Sequence, residues 1–233
     1  MRTKVSVSEL KGRAMDSSAA EEQMQQLVWE KEKQQDAETK EGKVCKEEED
    51  HYIPAFMEGV REENAGAKRG TAMHRVLECY DFTQPYDTCK EQLKLMVENQ
   101  KIERELLELV PVHSLRKFLA TSLGQRMQKA AREGKLYKEK PFVMGKPANE
   151  VLKESCSQEM LLVQGIVDVF FEEADGIVLL DYKTDRVQTG GQLAERYRGQ
   201  MELYQEAVER ALQKPVKEKI LYSFCLQEMV FVS

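Results

Sequence analysis

No stretch of the chain approaches the roughly 20 consecutive apolar residues that a membrane-spanning helix needs. The opening Met1-Arg2-Thr3-Lys4-Val5-Ser6-Val7 also lacks the apolar run of a secretory leader. Neither the membrane nor export is indicated, and the expected compartment is the cytoplasm. Five cysteines (Cys45, Cys79, Cys89, Cys156 and Cys225) lie far apart, odd in number and without CxxC spacing. That pattern argues against a disulfide framework and against a zinc or iron–sulfur site, leaving reduced thiols with a structural role. A GxxxxGK stretch followed by Ser or Thr is absent, so the chain has no phosphate loop and no ATP site. No internal repeat is found.

Excess positive charge is also lacking. Net charge is −6 and the isoelectric point about 5.4, unlike a protein that binds DNA through its overall field. The charges are unevenly placed, however. Glu47-Glu48-Glu49-Asp50 is an acidic block, whereas Arg116, Lys117, Arg126, Lys129, Arg132, Lys135, Lys138 and Lys140 face only Glu133 and Glu139. This basic stretch reads either as a solvated helix face or as a phosphate track, with Arg126 and Lys129 as candidate DNA contacts.

What is present suits one good-sized domain with appendages: 233 residues, 41% hydrophobic and 33% charged, with a mean hydropathy of −0.58. Residues 1–51 are expected to be a lead-in and polar linker, and 52–233 the domain. Ser6 or Ser8 can cap a short helix over Ser6–Leu10. Residues 16–51, rich in Gln, Glu and Lys, read as a linker with transient helix around 21–32, closed by the apolar Tyr52-Ile53-Pro54-Ala55-Phe56. Thr71 can then cap a helix in which Met73, Val76, Leu77 and Tyr80 fall on one face, with His74 in its first turn. Further helices are expected over 86–99, 104–110 and 114–132.

The periodicity changes after Tyr137. Strands are expected over 138–144, 160–172 and 177–184, the last two joined at Ala174-Asp175-Gly176. A helix over 193–212, broken at Pro215, precedes strands over 219–226 and 229–232. The fold class is α/β: a mixed central sheet flanked by helices.

Side chains alternate along a strand, so Asp181 and Lys183 share a face while Tyr182 points away. If the turn centres on Asp175-Gly176, Asp168 pairs near residue 182 or 183, and both carboxylates can reach one ion. Two carboxylates with water and a substrate phosphate suit Mg²⁺, with Mn²⁺ as the alternative. Taken alone, Asp181–Lys183 reads first as an ion pair at a strand end, and His74 as a structural histidine at a helix edge. The combination changes the reading.

The segments Ser6-Val7-Ser8-Glu9-Leu10, Ile53-Pro54-Ala55-Phe56, Gly70-Thr71-Ala72-Met73-His74, Glu139-Lys140-Pro141-Phe142, Gly165-Ile166-Val167-Asp168, Leu180-Asp181-Tyr182-Lys183-Thr184-Asp185 and Tyr197–Tyr204 occur in that order. In this order they resemble the RecB-like branch of the PD-(D/E)XK nucleases, which have a restriction-endonuclease-like core. Within it they are most similar to the nuclease domains that end AddA-type helicase–nuclease subunits. The resemblance implies metal binding by His74, Asp168, Asp181 and the Tyr182 backbone carbonyl, with Asp168, Asp181, Lys183 and Gln200 as the catalytic set. Tyr197 and Tyr204 flank Gln200 on one helix face and border the site or contact DNA, and Glu139 supports it. It further implies single-stranded DNA as substrate and action in double-strand break repair. The implied partners are a helicase motor and an AddB-type subunit. Two other readings are a decayed module that only binds DNA and a stand-alone exonuclease. Retention of His74, Asp168, Asp181, Lys183 and Gln200 argues against the first, and the lead-in segment against the second.

Overall fold

The computed structural model describes residues 4–6, 55–151 and 157–233, with side chains from residue 66 onward. The expectations for a helix at Ser6–Leu10, for the linker over 16–51 and for the Tyr52 cluster lie wholly or largely outside these residues. The sheet is organised by β3 (Met160–Glu173), whose Leu, Val, Ile and Phe content favours a strand buried for most of its length. One edge of β3 carries β2 (Leu136–Pro147), antiparallel along its whole length. The other edge carries β1 (Lys4–Ser6), parallel beside Leu162–Gln164, and then β4 (Gly176–Lys183), antiparallel beside Val169–Glu173. Beyond β4 come β5 (Val216–Ser223), parallel, and the edge strand β6 (Glu228–Phe231), antiparallel. A six-stranded mixed sheet results.

Helices cover both faces. On one side lie α1 (Ala55–Cys79), α2 (Cys89–Glu98), α3 (Arg104–Glu108), α4 (Val112–Leu119) and α5 (Ser122–Arg132). Their apolar stripes, including Met73, Leu77, Leu115, Phe118 and Met127, meet Val169, Phe171, Val178, Leu180 and Tyr182 of the sheet. The other side is covered by α7 (Gly190–Leu212), which follows a single helical turn, α6 (Ala148–Val151). Leu193, Tyr197, Met201, Tyr204 and Val208 fall on one stripe of α7 and bury against Val163, Val167, Leu179 and Leu221. Thr189 caps the start of α7, and Gln213 ends it in the left-handed conformation two residues before Pro215.

Three expectations need correction. The first helix begins at Ala55 and not at Thr71, whose hydroxyl bonds back to Ala67 O at 3.1 Å within the helix. The helix expected over 114–132 is two, separated at Thr121, whose Oγ1 accepts from Gly124 N. A Cβ on Gly124 would stand 2.5 Å from Leu119 O, so this close helix–helix turn requires glycine. The hairpin turn is Ala174-Asp175, because Glu173 pairs with Gly176. Gly176 (φ 149°) instead opens β4, where a Cβ would lie 3.0 Å from Pro215 O. The register moves accordingly: Val169 faces Leu180, and one step further places Asp168 opposite Asp181.

The central strand also changes the face it presents. Val163 and Val167 pack under α7, yet Val169 and Phe171, of the same parity, pack under the other helices. Alternation therefore breaks at Asp168. Across the ladder stands Glu139, with φ of 47° in a region unusual for a side-chain-bearing residue. Pairing resumes in register on either side, Lys138 with Val169 and Lys140 with Val167.

Candidate active site

The break in alternation brings acids together. Asp168 from β3, Glu139 from β2 and His74 from α1 form the one group of metal-competent side chains among the described residues, with donor atoms within 4.8 Å of one another. His74 Nδ1 lies 3.3 Å from Asp168 Oδ2, and Nε2 lies 3.1 Å from the Tyr182 carbonyl. A neutral imidazole has one N–H and can donate to only one of these acceptors. The same Asp168 oxygen accepts from Tyr182 N at 3.0 Å, a side chain taking over where the strand ladder stops. Gly70, Thr71, His74, Arg75, Glu78 and Glu139 line an open cleft at this point.

Asp181 and Lys183 do project from the same face of β4, toward α7, while Tyr182 packs into the opposite core. Asp181 is 1% exposed. Its Oδ1 accepts from Gln200 Nε2 at 2.7 Å, and the same amide nitrogen lies 2.9 Å from the Tyr204 hydroxyl. Its Oδ2 stands 2.5 Å from Lys183 Nζ, but off hydrogen-bond geometry, so this buried oxygen has no hydrogen bond. Lys183 Nζ also lies 3.4 Å from Gln200 Oε1 and 4.0 Å from the centroid of the Tyr197 ring. The Tyr197 hydroxyl donates to Asp185 Oδ1 at 2.8 Å.

Burial, and then the charge of Asp181, hold the Asp168 carboxyl well above the usual range. Burial raises Glu139 too, followed by repulsion from Glu78 and Asp181. The Tyr204 phenol is raised first by burial and then by Asp181. Three mutually repelling carboxylates, one of them paired with the Lys183 ammonium, and two histidine nitrogens facing acceptors make a set that a divalent cation would satisfy. The residues fit a metal centre.

Most of the expected residues therefore meet here: His74, Asp168, Asp181, Tyr182 O, Lys183, Gln200, Tyr197, Tyr204 and Glu139. The basic stretch does not. Arg126 is clamped by Glu173 (2.8 and 3.0 Å) and Glu218 (2.8 and 3.0 Å) at the hairpin end of the sheet, so four of its five donors are committed. Lys129 is exposed on the same helix, one turn on from that clamp. Lys138 is turned inward, with Nζ bonded to the carbonyls of Glu78 and Tyr80, both at 2.6 Å. Paired glutamates at the far ends of β3 and β5 explain Arg126, and no spacing along the chain announces that pairing. Glu139 was legible only as a supporting acid, since a left-handed φ at a glutamate leaves no mark in composition. Asp185 carried a signal, its place two residues beyond Lys183, but not its partner.

A mixed sheet that brings two acids and a lysine onto adjoining strands, with a histidine supplied by a preceding helix, is a restriction-endonuclease-like α/β core. Residues 51–229 match the profile of the PD-(D/E)XK nuclease superfamily, and the chain belongs to it. The A subunit of the ATP-dependent helicase/nuclease from Clostridium perfringens (strain SM101 / Type A) is 38% identical over 189 residues, 77% of this chain and 15% of that protein. Its counterpart of the same name from Thermoanaerobacter sp. (strain X514) is 40% identical over 178 residues, 73% of this chain and 14% of its own. That from Alkaliphilus oremlandii (strain OhILAs) is 39% identical over 183 residues, covering 76% and 15%. The chain thus spans about 15% of the length of the curated relatives it matches.

Proposed function

We propose that this chain hydrolyses phosphodiester bonds in DNA as the nuclease part of an AddAB-type helicase–exonuclease. Single-stranded DNA would be delivered by a motor on the same polypeptide, and an AddB-type subunit would be the partner. The observation that carries the reading is the meeting of donor atoms of His74, Asp168 and Glu139 within 4.8 Å of one another, next to the buried Asp181–Lys183 ion pair.

His74, Asp168, Asp181 and the Tyr182 carbonyl, with Glu139 alongside, would hold Mg²⁺ or Mn²⁺. The bound ion would supply Lewis acidity toward a phosphoryl oxygen and lower the pKa of a water. The chain's own groups do the rest. Gln200 fixes Asp181 through Oδ1 and leaves Oδ2 beside the Lys183 ammonium. Lys183 presents an ammonium beside that oxygen, placed to orient the attacking water and to offset charge that builds on phosphorus. Tyr182 N holds Asp168 in the orientation that faces His74. The apolar packing behind Tyr182 and Tyr204 keeps the rear of the site dry, which strengthens each of these interactions.

Cleavage of end-labelled single-stranded DNA with Mg²⁺ or Mn²⁺ tests this reading. Asp181→Ala and Lys183→Ala are expected to lose about 10²–10³-fold in rate, the scale seen when a charge-stabilising group is removed. Wild-type rates in either variant would refute the site. Calorimetric Mn²⁺ titration is the parallel readout, with binding expected in the wild type and lost in Asp168→Ala.

A further inference from the structure

Asp185 stands two residues beyond Lys183, in the loop that carries the chain from β4 to α7. Its Oδ1 accepts a hydrogen bond from the Tyr197 hydroxyl at 2.8 Å, and the Arg196 guanidinium lies 3.7 Å from the same oxygen. Tyr197 is buried under the sheet at 1% exposure. Its ring presents a face to Lys183 Nζ, with 4.0 Å between nitrogen and centroid. That ammonium is held on its other sides by Asp181 Oδ2 at 2.5 Å and Gln200 Oε1 at 3.4 Å.

A lysine is a point charge on a flexible four-carbon stem, and two polar neighbours alone leave it several ways to sit. An aromatic face removes that freedom, because the ring quadrupole attracts the ammonium along one direction. The hydrogen bond at the far end of the ring matters in two ways. It fixes the rotation of the tyrosine, and a phenol that donates to a carboxylate carries more electron density in its ring, which deepens the negative face. Burial, followed by Asp185, pushes the Tyr197 phenol up, so it keeps the proton that the bond requires.

We propose that Asp185 is a positioning residue for Lys183, acting through the Tyr197 ring. It steers the ammonium toward Asp181 from the opposite side of the aromatic face. The geometry stands on its own, and only the kinetic consequence rests on the nuclease reading above.

Two measurements test it. In the first, the side-chain Hε resonance of Lys183 is identified in the folded protein by its disappearance in Lys183→Arg. It is expected to show an upfield ring-current shift in the wild type. That shift should fall by about half or more in Asp185→Asn and in Tyr197→Phe, which each lose part of the same bond, and vanish in Tyr197→Leu. Asp185→Asn combined with Tyr197→Phe should behave as either change alone. Urea unfolding of each variant separates a moved lysine from an unfolded chain. An unchanged shift in Asp185→Asn, or additive effects in the double variant, overturns the proposal.

In the second measurement, on single-stranded DNA, Asp185→Asn and Tyr197→Phe should lower kcat by roughly 3- to 30-fold at unchanged KM. Wild-type kcat in both, with the wild type cutting, also overturns it. If the wild type does not cut but the resonance responds as expected, the nuclease reading fails and the positioning role stands.

Discussion

Glu139 pays for its place with backbone strain: a side chain at φ 47° is disfavoured where glycine is not. Glu139→Gly should therefore be more stable than Glu139→Ala by about 1 kcal/mol, measured by urea unfolding without metal. Both should bind Mn²⁺ more weakly than the wild type. At the opposite end of the sheet, Glu173 shows the reverse case. Hydrogen bonds from Arg126 first, and from Lys217 after burial's opposing effect, hold its carboxyl down at about 2. A depressed carboxylate contributes stability that is present above its unfolded pKa of roughly 4.3 and lost as pH falls through the folded value. Glu173→Gln should lower the unfolding midpoint at pH 7 and make little difference near pH 2, followed by circular dichroism across that range. The residue scale is where the sequence was least informative. Asp181 and Lys183 on one face followed from strand alternation, but the glutamate clamp on Arg126 did not, because its partners come from strands 47 and 92 residues away.

At the scale of elements, the site depends on how α1 ends. Its last carbonyls are satisfied by Lys138, reaching across from β2 to Leu77 O, Glu78 O and Tyr80 O and lying over the Phe82 ring. Burial pushes the Lys138 ammonium pKa down, so the charge sits there at a cost that the carbonyls offset. Lys138→Met, similar in length but without donors, should cost about 2–3 kcal/mol in denaturant unfolding. Because His74 lies on the same helix, metal affinity should fall with it. The elements themselves were largely legible: β3, β4 and β6 lie within a residue of where alternation places them, while α7 starts and β5 both starts and ends three residues earlier than expected. The start of α1 was not, since Gly59, Gly66 and Gly70 interrupt its first turns and Thr71 imitates a cap. The division of α4 from α5 turned on Gly124, whose need for close approach shows only in three dimensions.

At the scale of the whole molecule, one strip of the described surface is apolar. Val143, Leu162 and Ile166 are 63%, 47% and 50% exposed on the face of the β2–β3 ribbon that turns away from α7. Contiguous exposed apolar side chains promote association. Ile166→Thr should reduce light scattering of concentrated protein at high salt, and leave the melting temperature nearly unchanged, within the roughly 0.5 kcal/mol of ordinary surface substitutions. Failure of the first effect would show that the strip does not govern self-association. The α/β class followed from the order of helices and strands and the superfamily from the order of short motifs, whereas the exposure of Leu162 and Ile166 leaves no mark in a strand rich in Leu, Val, Ile and Phe.

The reversal of faces at Glu139 and Asp168 bears on which changes of length the ribbon can accept. Two regular pieces of β2 and β3 are joined at a single irregular step, and the ladder keeps count across it. Deleting residue 139 would leave Leu136, Tyr137 and Lys138 on the faces they already occupy, because plain alternation back from Phe142 then places them there. The cap on α1 would survive while an acid of the site is lost. Removing a neighbour such as Pro141 would instead turn one end of the strand over, so the ribbon tolerates a missing codon at one step and not beside it.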